Sequence, residues 1–331
     1  MARILTGIQA TGIPHLGNLL GAIRPAIAQA NDPDNESFLF IADMHSLTQI
    51  KDANTLRDNT YAVAAAWLAF GLDARRSVFY RQSDVPQAAE LAWYLNCFFP
   101  VSRLELAHSF KDKTANLKGG AASVNTGLFT YPMLMSADIL LYDAEFVPVG
   151  KDQMQHLEFT RDVAKRLHNA MQTEVFVLPE AVTQESVMLV PGLDGEKMSK
   201  SRDNTLNIFD DPKALKKRIN KEIETDATAL EDPKDPDSNP VTRLYALVAG
   251  DSAAAQMAEQ LRAGGYGWGH AKKALLEAVV DGFATERDEF NRWMADRSAL
   301  DAELKAGAQR ASEVAHGVLN RVREALGYGV L

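Results

Sequence analysis

Apolar positions in the first two thirds of the chain fall into short bursts separated by longer stretches with helical spacing. Runs 3–8, 37–42, 77–81, 146–149 and 174–178 are rich in aliphatic, β-branched and aromatic residues and are closed off by turn residues. Such near-continuous apolar runs are those of strands buried on both faces of a parallel sheet. Segments 16–30, 53–70, 86–99 and 153–169 lie between them and repeat apolar side chains at helical intervals. Strands alternating with helices require right-handed crossovers, and ligands of such sheets sit at the carboxyl ends of the strands. The pattern predicts an α/β fold and says where its chemistry belongs.

The pattern then changes. Asp210, Asp211 and Pro212 read as a helix start, with acidic residues at the cap and proline in the first turn. Helical spacing follows almost to the C-terminus, broken at 232–240, at Gly264 and Gly265, and at a charged bend over 297–301. The expectation is a catalytic α/β domain over 1–190 and a largely helical region over 191–331, with roughly the last 90 residues bundling together.

With 331 residues, 46% of them apolar, the chain can bury a full core. Cys97 is its one cysteine, so neither an intrachain disulfide nor a multi-cysteine zinc site is possible, which fits a reducing compartment. Its apolar helical surroundings predict a packed small hydrophobe. The N-terminus runs straight into a strand pattern, and no window has the ~18 to 20 apolar residues of a membrane span, so a cytoplasmic protein is expected. A net charge of −9 argues against nonspecific coating of nucleic acid. Yet 197–221 holds eight basic side chains against three acidic ones, a local balance of +5 that ordinarily marks a solvated helix face.

Candidate chemistry begins with Gly7, Gly12, Gly17 and Gly21, spread over the first strand, its turn and the following helix start. A nucleotide phosphate suits that helix N-terminus, although a tight strand-to-helix turn alone would also explain glycines there. Pro14-His15-Leu16-Gly17-Asn18 adds specificity. His15 and Asn18 can face one ligand from an opening helical turn, while Gly17 lets an adenine ring lie against the backbone. Neither a Walker loop nor a Gly-x-Gly-x-x-Gly fingerprint is present. Far downstream stands Lys197-Met198-Ser199-Lys200-Ser201, and both segments suit ATP.

In order and separation these segments resemble the two signatures of class I aminoacyl-tRNA synthetases, a variant His-Ile-Gly-His and an unmodified Lys-Met-Ser-Lys-Ser. Gly7-Ile8-Gln9, Thr130-Tyr131-Pro132 and the segments 135–142 and 147–156 narrow the resemblance to the bacterial tryptophanyl-tRNA synthetase family, along essentially the whole chain. That resemblance implies a Rossmann-like parallel-sheet domain with a helical C-terminal, anticodon-binding domain. It also implies a homodimer, with ATP, Mg²⁺, L-tryptophan and tRNA(Trp) as substrates and partners.

The same resemblance supplies roles. Lys197 and Lys200 would offset phosphate charge in the transition state, Ser199 and Ser201 would add hydroxyl hydrogen bonds, and Gly192 and Gly195 would let the loop close. Lys111 and Lys113 would approach the phosphates from across the site, or be an exposed surface turn. His15, Gly17, Asn18, Gln9, Gly150, Asp152 and Met198 would complete the ATP side, with Mg²⁺ held through phosphates and water. For tryptophan, Asp138 would accept the indole N–H, Leu5, Met135 and Val147 would form apolar walls, and Tyr131 and Gln153 would hold the α-ammonium. Gly7, Gln9 and His45 would lie near the carboxylate and the ATP side.

Three rivals are weighed against this. Tyrosyl-tRNA synthetases share the fold but usually carry glutamine where Met135 stands and a further C-terminal RNA-binding domain, whereas residues 327–331 directly follow the helices here. A tryptophan- or ATP-binding sensor would not need intact phosphate motifs. A general nucleotidyltransferase leaves the Asp138 cluster without a role. The chain departs from the family at Leu5, Met44 and Lys151, where many relatives have an aromatic residue, glutamine and glutamate. Its glycine- and alanine-rich segment 115–123 is expected to be a mobile loop. Segments 93–99 and 128–141 suit either a dimer seam or the core.

Overall fold

The structure, a computed structural model, describes residues 2–107, 124–150, 153–183 and 189–330. Lys111, Lys113, the expected mobile loop 115–123, Lys151 and Asp152 lie outside these described residues.

Five parallel strands, β1 (Ala2–Ile8), β2 (Asn35–Ile41), β3 (Val78–Arg81), β4 (Phe146–Val149) and β5 (Glu180–Thr183), form one sheet in the order β3-β2-β1-β4-β5. The chain winds outward from β1 to β3, then crosses back to continue at β4, so a crevice opens at the carboxyl ends of β1 and β4. Side chains alternate between two cores, as strand geometry demands. Leu39, Ile41 and Phe79 belong to one cluster, and Leu5, Phe38, Phe40, Val78 and Tyr80 to the other.

Four strands stand where the apolar runs predict them, and the fifth does not. Segment 174–178 is not a strand, and β5 begins at Glu180, whose amide bonds Glu145 O at 2.7 Å. The reason is local. The amides of Val175 and Phe176 both donate to His168 Nε2, at 3.2 and 3.1 Å, which diverts them from any ladder. Val175 and Phe176 are buried all the same, so the apolar signal reported burial and not extension.

The helix over 16–30 begins as α1 (Leu16–Asn18), passes through a π-helical turn at Leu19–Ile23 and continues as α2 (Arg24–Ala30). Next come α3 (Asp43–Ser46), α4 (Ala53–Ala69), α5 (Gln87–Phe98), α6 (Val101–Leu104), α7 (Thr126–Leu140) and α8 (Met154–Met171). No amphipathic stripe announces α7, because it lies between α5 and α8 and is apolar all round. Cys97 is exposed, contrary to expectation: α5 turns Ala88, Leu91, Ala92 and Leu95 inward and leaves Trp93 and Cys97 outside.

Beyond the lysine loop, α9 (Pro212–Glu222) starts as predicted, its Asp211 cap accepting from the amides of Lys213 and Ala214 at 2.8 and 3.1 Å. The remaining helices are α10 (Pro240–Ala249), α11 (Asp251–Ala263), α12 (Trp268–Gly282), α13 (Ala284–Ala295) and α14 (Arg297–Ala325). Helices α11 and α12 both pack on α10, while α13 packs on α4 and α14 lies along β3, so the last stretch does not simply bundle with itself. The expected bend at 297–301 is the first turn of α14, and the break is Asp296, which caps it through the Ala299 amide at 3.0 Å. A Cβ on Gly307 of α14 would stand 1.7 Å from the Phe79 carbonyl oxygen, so glycine alone permits this approach. Residues on both sides of position 190 share each core. Among the described residues no helix is long and apolar enough to cross a membrane.

Candidate active site

At the carboxyl end of β1 the chain enters the turn that leads to α1. His15 caps α1 reciprocally: its Nδ1 accepts from the Asn18 amide at 3.3 Å, and Asn18 Oδ1 accepts from the His15 amide at 3.2 Å. Burial, reinforced by the nearby Lys200 ammonium, pushes the His15 imidazole down to about 4. The ring is neutral at physiological pH, and with Nδ1 accepting, Nε2 carries the hydrogen.

The lysine loop docks on this turn. Leu16 N donates to Leu206 O at 2.8 Å, Gly17 N to Met198 Sδ at 3.3 Å, and Lys200 Nζ to Thr11 O at 3.1 Å. Gly12, at φ +116°, has Lys200 Nζ 3.0 Å from where a Cβ would project. Burial lowers the Lys200 ammonium from its ordinary value. Within the loop, Asn204 Oδ1 accepts from the Ser199 amide at 2.7 Å. Asn204 Nδ2 donates to Asp194 Oδ1 at 2.7 Å and to Lys197 O at 3.2 Å. A Cβ on Gly192 would collide with that amide at 2.2 Å, so packing against Asn204 by itself requires a glycine there. Ser199 and Ser201 hydroxyls stand 3.0 Å apart.

Two cavities flank the turn. One, of about 360 Å³, is walled by His15, Gly17, Asn18, Lys197, Met198, Ser199 and Lys200. The other, of about 600 Å³, is walled by Leu5, Gly7, Gln9, His45, Tyr131, Met135, Asp138, Val147, Gly150 and Gln153. Gly21 and Ala22, in the π turn, border both. The described residues expected for ATP and for an amino acid are thus gathered into adjoining chambers, apart from three on the ATP side: Gln9 and Gly150 border the second chamber and not the first, and Ser201 is exposed and borders neither.

The polar centre of the larger cavity is Asp138, 3% exposed and inside α7, not at a cap. Its Oδ2 accepts from His45 Nε2 at 2.9 Å, and Gln82 Nε2 donates to Oδ1 and Oδ2 at 2.8 and 2.9 Å. Burial raises the Asp138 carboxyl above the ordinary carboxylate range, while the hydrogen bonds and charge of His45 and the Gln82 bond oppose that rise. His45 bonds Asp138 and also lines the larger cavity, the chamber in which the family likeness expects it. Tyr131 Oη lies 2.7 Å from His156 Nε2, which ties the cavity wall to α8. Gly7 leaves room for Phe40, whose ring would come within 2.4 Å of a Cβ there.

Sequence reasoning missed Gln82, His156 and Asn204. Gln82 had only a positional signal, a polar residue just past the carboxyl end of β3. His156 and Asn204 stand within or just after recognised motifs, but nothing in the chain order pairs them with Tyr131 or with the loop amides.

Comparison with known proteins decides the family: the model of tRNA synthetases class I (W and Y) matches residues 1–284. The chain belongs to this family. A tryptophan–tRNA ligase of Neisseria meningitidis is 44% identical over 330 residues, covering 98% of this chain and 97% of the relative. One from Rhodopirellula baltica is 46% identical over 325 residues, covering 98% and 99%. The crystal structure of tryptophanyl-tRNA synthetase from Campylobacter jejuni, complexed with ADP and tryptophan, superposes with a TM-score of 0.92 at 43% identity, covering 98% of this chain and 99% of that one. The parallel sheet with its crevice is the Rossmann-like sheet of a class I synthetase. The paired chambers occupy the place, at the carboxyl ends of β1 and β4, where such a sheet binds its ligands.

Proposed function

We propose that the chain is a tryptophan–tRNA ligase, which joins L-tryptophan to ATP as tryptophanyl adenylate, releases pyrophosphate, and passes tryptophan to the 3′ end of tRNA(Trp). The observation that carries this reading is Asp138, a buried carboxylate among the apolar walls of Leu5, Met135 and Val147, in a chamber adjoining the one beneath the lysine loop. An indole ring is apolar with one N–H donor and no acceptor, and this chamber offers its complement. Relatives named tryptophan–tRNA ligase over nearly the whole length support it. A thioether at Met135 is a poor partner for a phenol hydroxyl, which disfavours tyrosine.

In this reading Asp138 accepts the indole N–H, Tyr131 and Gln153 hold the α-ammonium, and Gly7 and Gln9 border the carboxylate's path toward the π turn. His15, Gly17, Asn18 and Met198 receive ATP, together with Gly150 and with Asp152, which lies outside the described residues. The carboxylate attacks the α-phosphate in line and pyrophosphate departs. Lys197 and Lys200, with Ser199 and with Lys113, which lies outside the described residues, stabilise charge that grows on the phosphates, so no enzyme nucleophile is needed. Ser201, outside both chambers, adds only its contact with the Ser199 hydroxyl. Among the described residues no three His, Cys, Asp or Glu side chains stand together to cage a metal. Mg²⁺ accompanying ATP would take its ligands largely from phosphate oxygens and water, and would neutralise phosphate charge there.

The terminal ribose hydroxyl of tRNA then attacks the activated carbonyl and AMP leaves. Lys213, Lys216, Lys217 and Lys221 are exposed on α9, which Arg218 ties to the lysine loop through Asp203 O at 2.7 Å, and this face suits RNA phosphates. Trp93 on α5, Val101 on α6 and Leu106 just beyond it are exposed, Trp93 at 68%, and we assign such exposed apolar side chains to contact with a second copy in a homodimer. The setting is the cytoplasm, where tRNA and ATP are found. Exchange of labelled pyrophosphate into ATP, dependent on tryptophan, tests the reading.

A further inference from the structure

The most constrained polar group outside the recognised motifs is Gln82, 1% exposed and absent from the walls of the tryptophan chamber. Its amide is read without ambiguity. Only the NH₂ side can approach a carboxylate, and it does so at both oxygens of Asp138, at 2.8 and 2.9 Å. The carbonyl side then accepts from the His45 amide at 3.4 Å. A second clasp fixes this geometry: Asp43, at the start of α3, accepts from the Ser83 amide at 3.0 Å and from the Ser83 hydroxyl. The turn carrying Gln82 and the helix carrying His45 are thereby locked together around one carboxylate.

We infer that Gln82 is a positioning residue for substrate selection, fixing the Asp138 carboxylate as the acceptor of the substrate's ring N–H. The inference rests on the reading of the chamber as a tryptophan site. A carboxylate offers about four lone-pair sites, and Oδ2 already holds His45 and one branch of the Gln82 contact, which leaves the free capacity on Oδ1. His45, on Oδ2 alone, leaves Oδ1 to meet the ligand, and Gln82, bridging both oxygens, holds the carboxylate in that orientation. The ionisable groups facing Asp138 are His45 from α3, Tyr80 from β3 and Tyr142 just past α7. Burial holds both tyrosines above their ordinary value, so they are neutral and only His45 can carry charge there. Gln82 adds a donor that does not titrate, so its hold on the Asp138 carboxylate does not depend on its own protonation.

Two variants test this by pyrophosphate exchange in the full chain. Gln82→Met keeps the volume and loses the donor. It should raise the KM for tryptophan roughly tenfold and leave the KM for ATP unchanged, as expected for a lost hydrogen bond to a charged group. It should also move the acid limb of kcat/KM for tryptophan to higher pH, and lessen the preference for tryptophan over the analogue with sulfur in place of its ring N–H. Gln82→Glu is nearly isosteric and donates only while protonated, so its tryptophan KM should improve as pH falls, the reverse of the parent. Parent-like pH profiles and analogue preference in both variants would overturn the inference. Should Gln82→Met fail to fold, a parent-like profile in Gln82→Glu alone would overturn it. The parent's own exchange with tryptophan reports separately on the underlying reading.

Discussion

In the proposed reading Asp138 recognises the substrate, and its protonation state sets a testable limit. Burial raises its carboxyl above the ordinary range, so it takes up a proton at a higher pH than an exposed aspartate would. Once protonated it is no longer an anionic acceptor. The kcat/KM for tryptophan should therefore fall on the acid side at a pH above the ~3.9 of a free aspartate, while the KM for ATP holds. His15, neutral down to about 4, should contribute no limb near the usual histidine value. Pyrophosphate exchange measured across pH checks both; a tryptophan limb at the ordinary aspartate value would contradict the account. At this scale motifs were legible and partners were not. Lys197 to Ser201 and Pro14 to Asn18 are contiguous and readable, whereas Gln82 meets Asp138 across 56 positions and only the folded sheet brings them together.

Elements were legible where one property dictated them. Asp211 and Pro212 announce α9 because a cap and a first-turn proline have local causes. Helix α7 and segment 174–178 were not, since a helix with apolar residues on every face shows no stripe and a side-chain acceptor such as His168 can claim amides that would otherwise form a strand. The long reach of α14 back to β3 was invisible for the same reason: Gly307 matters only through Phe79. Gly307→Val should cost roughly 3 kcal/mol or more by overpacking, read by chemical denaturation. A loss below about 0.5 kcal/mol, typical of an unconstrained surface site, would show that α14 does not pack as described. For α9, replacing Lys213, Lys216, Lys217 and Lys221 by glutamate should raise the KM for tRNA by more than about tenfold and flatten its dependence on salt. Pyrophosphate exchange should be unaffected by that change, and a parallel loss in exchange would mean the lysines serve the ATP site instead.

The molecule as a whole joins two chambers through one turn. The π turn at Leu19–Ile23 holds Gly21 and Ala22 where both meet, and the lysine loop closes the smaller chamber by bonding Gly17 and Thr11. In the proposed reading the ATP motifs define activation and the Asp138 chamber defines what is activated. A site built around a ring N–H should reject a substrate lacking it, by a factor on the order of 10⁴ or more when its polar groups are left unpaired. The most direct measurement is exchange of labelled pyrophosphate into ATP with each amino acid in turn. Exchange supported by tryptophan and absent with tyrosine is the expected result. Exchange driven by tyrosine, or by neither amino acid, would contradict the account.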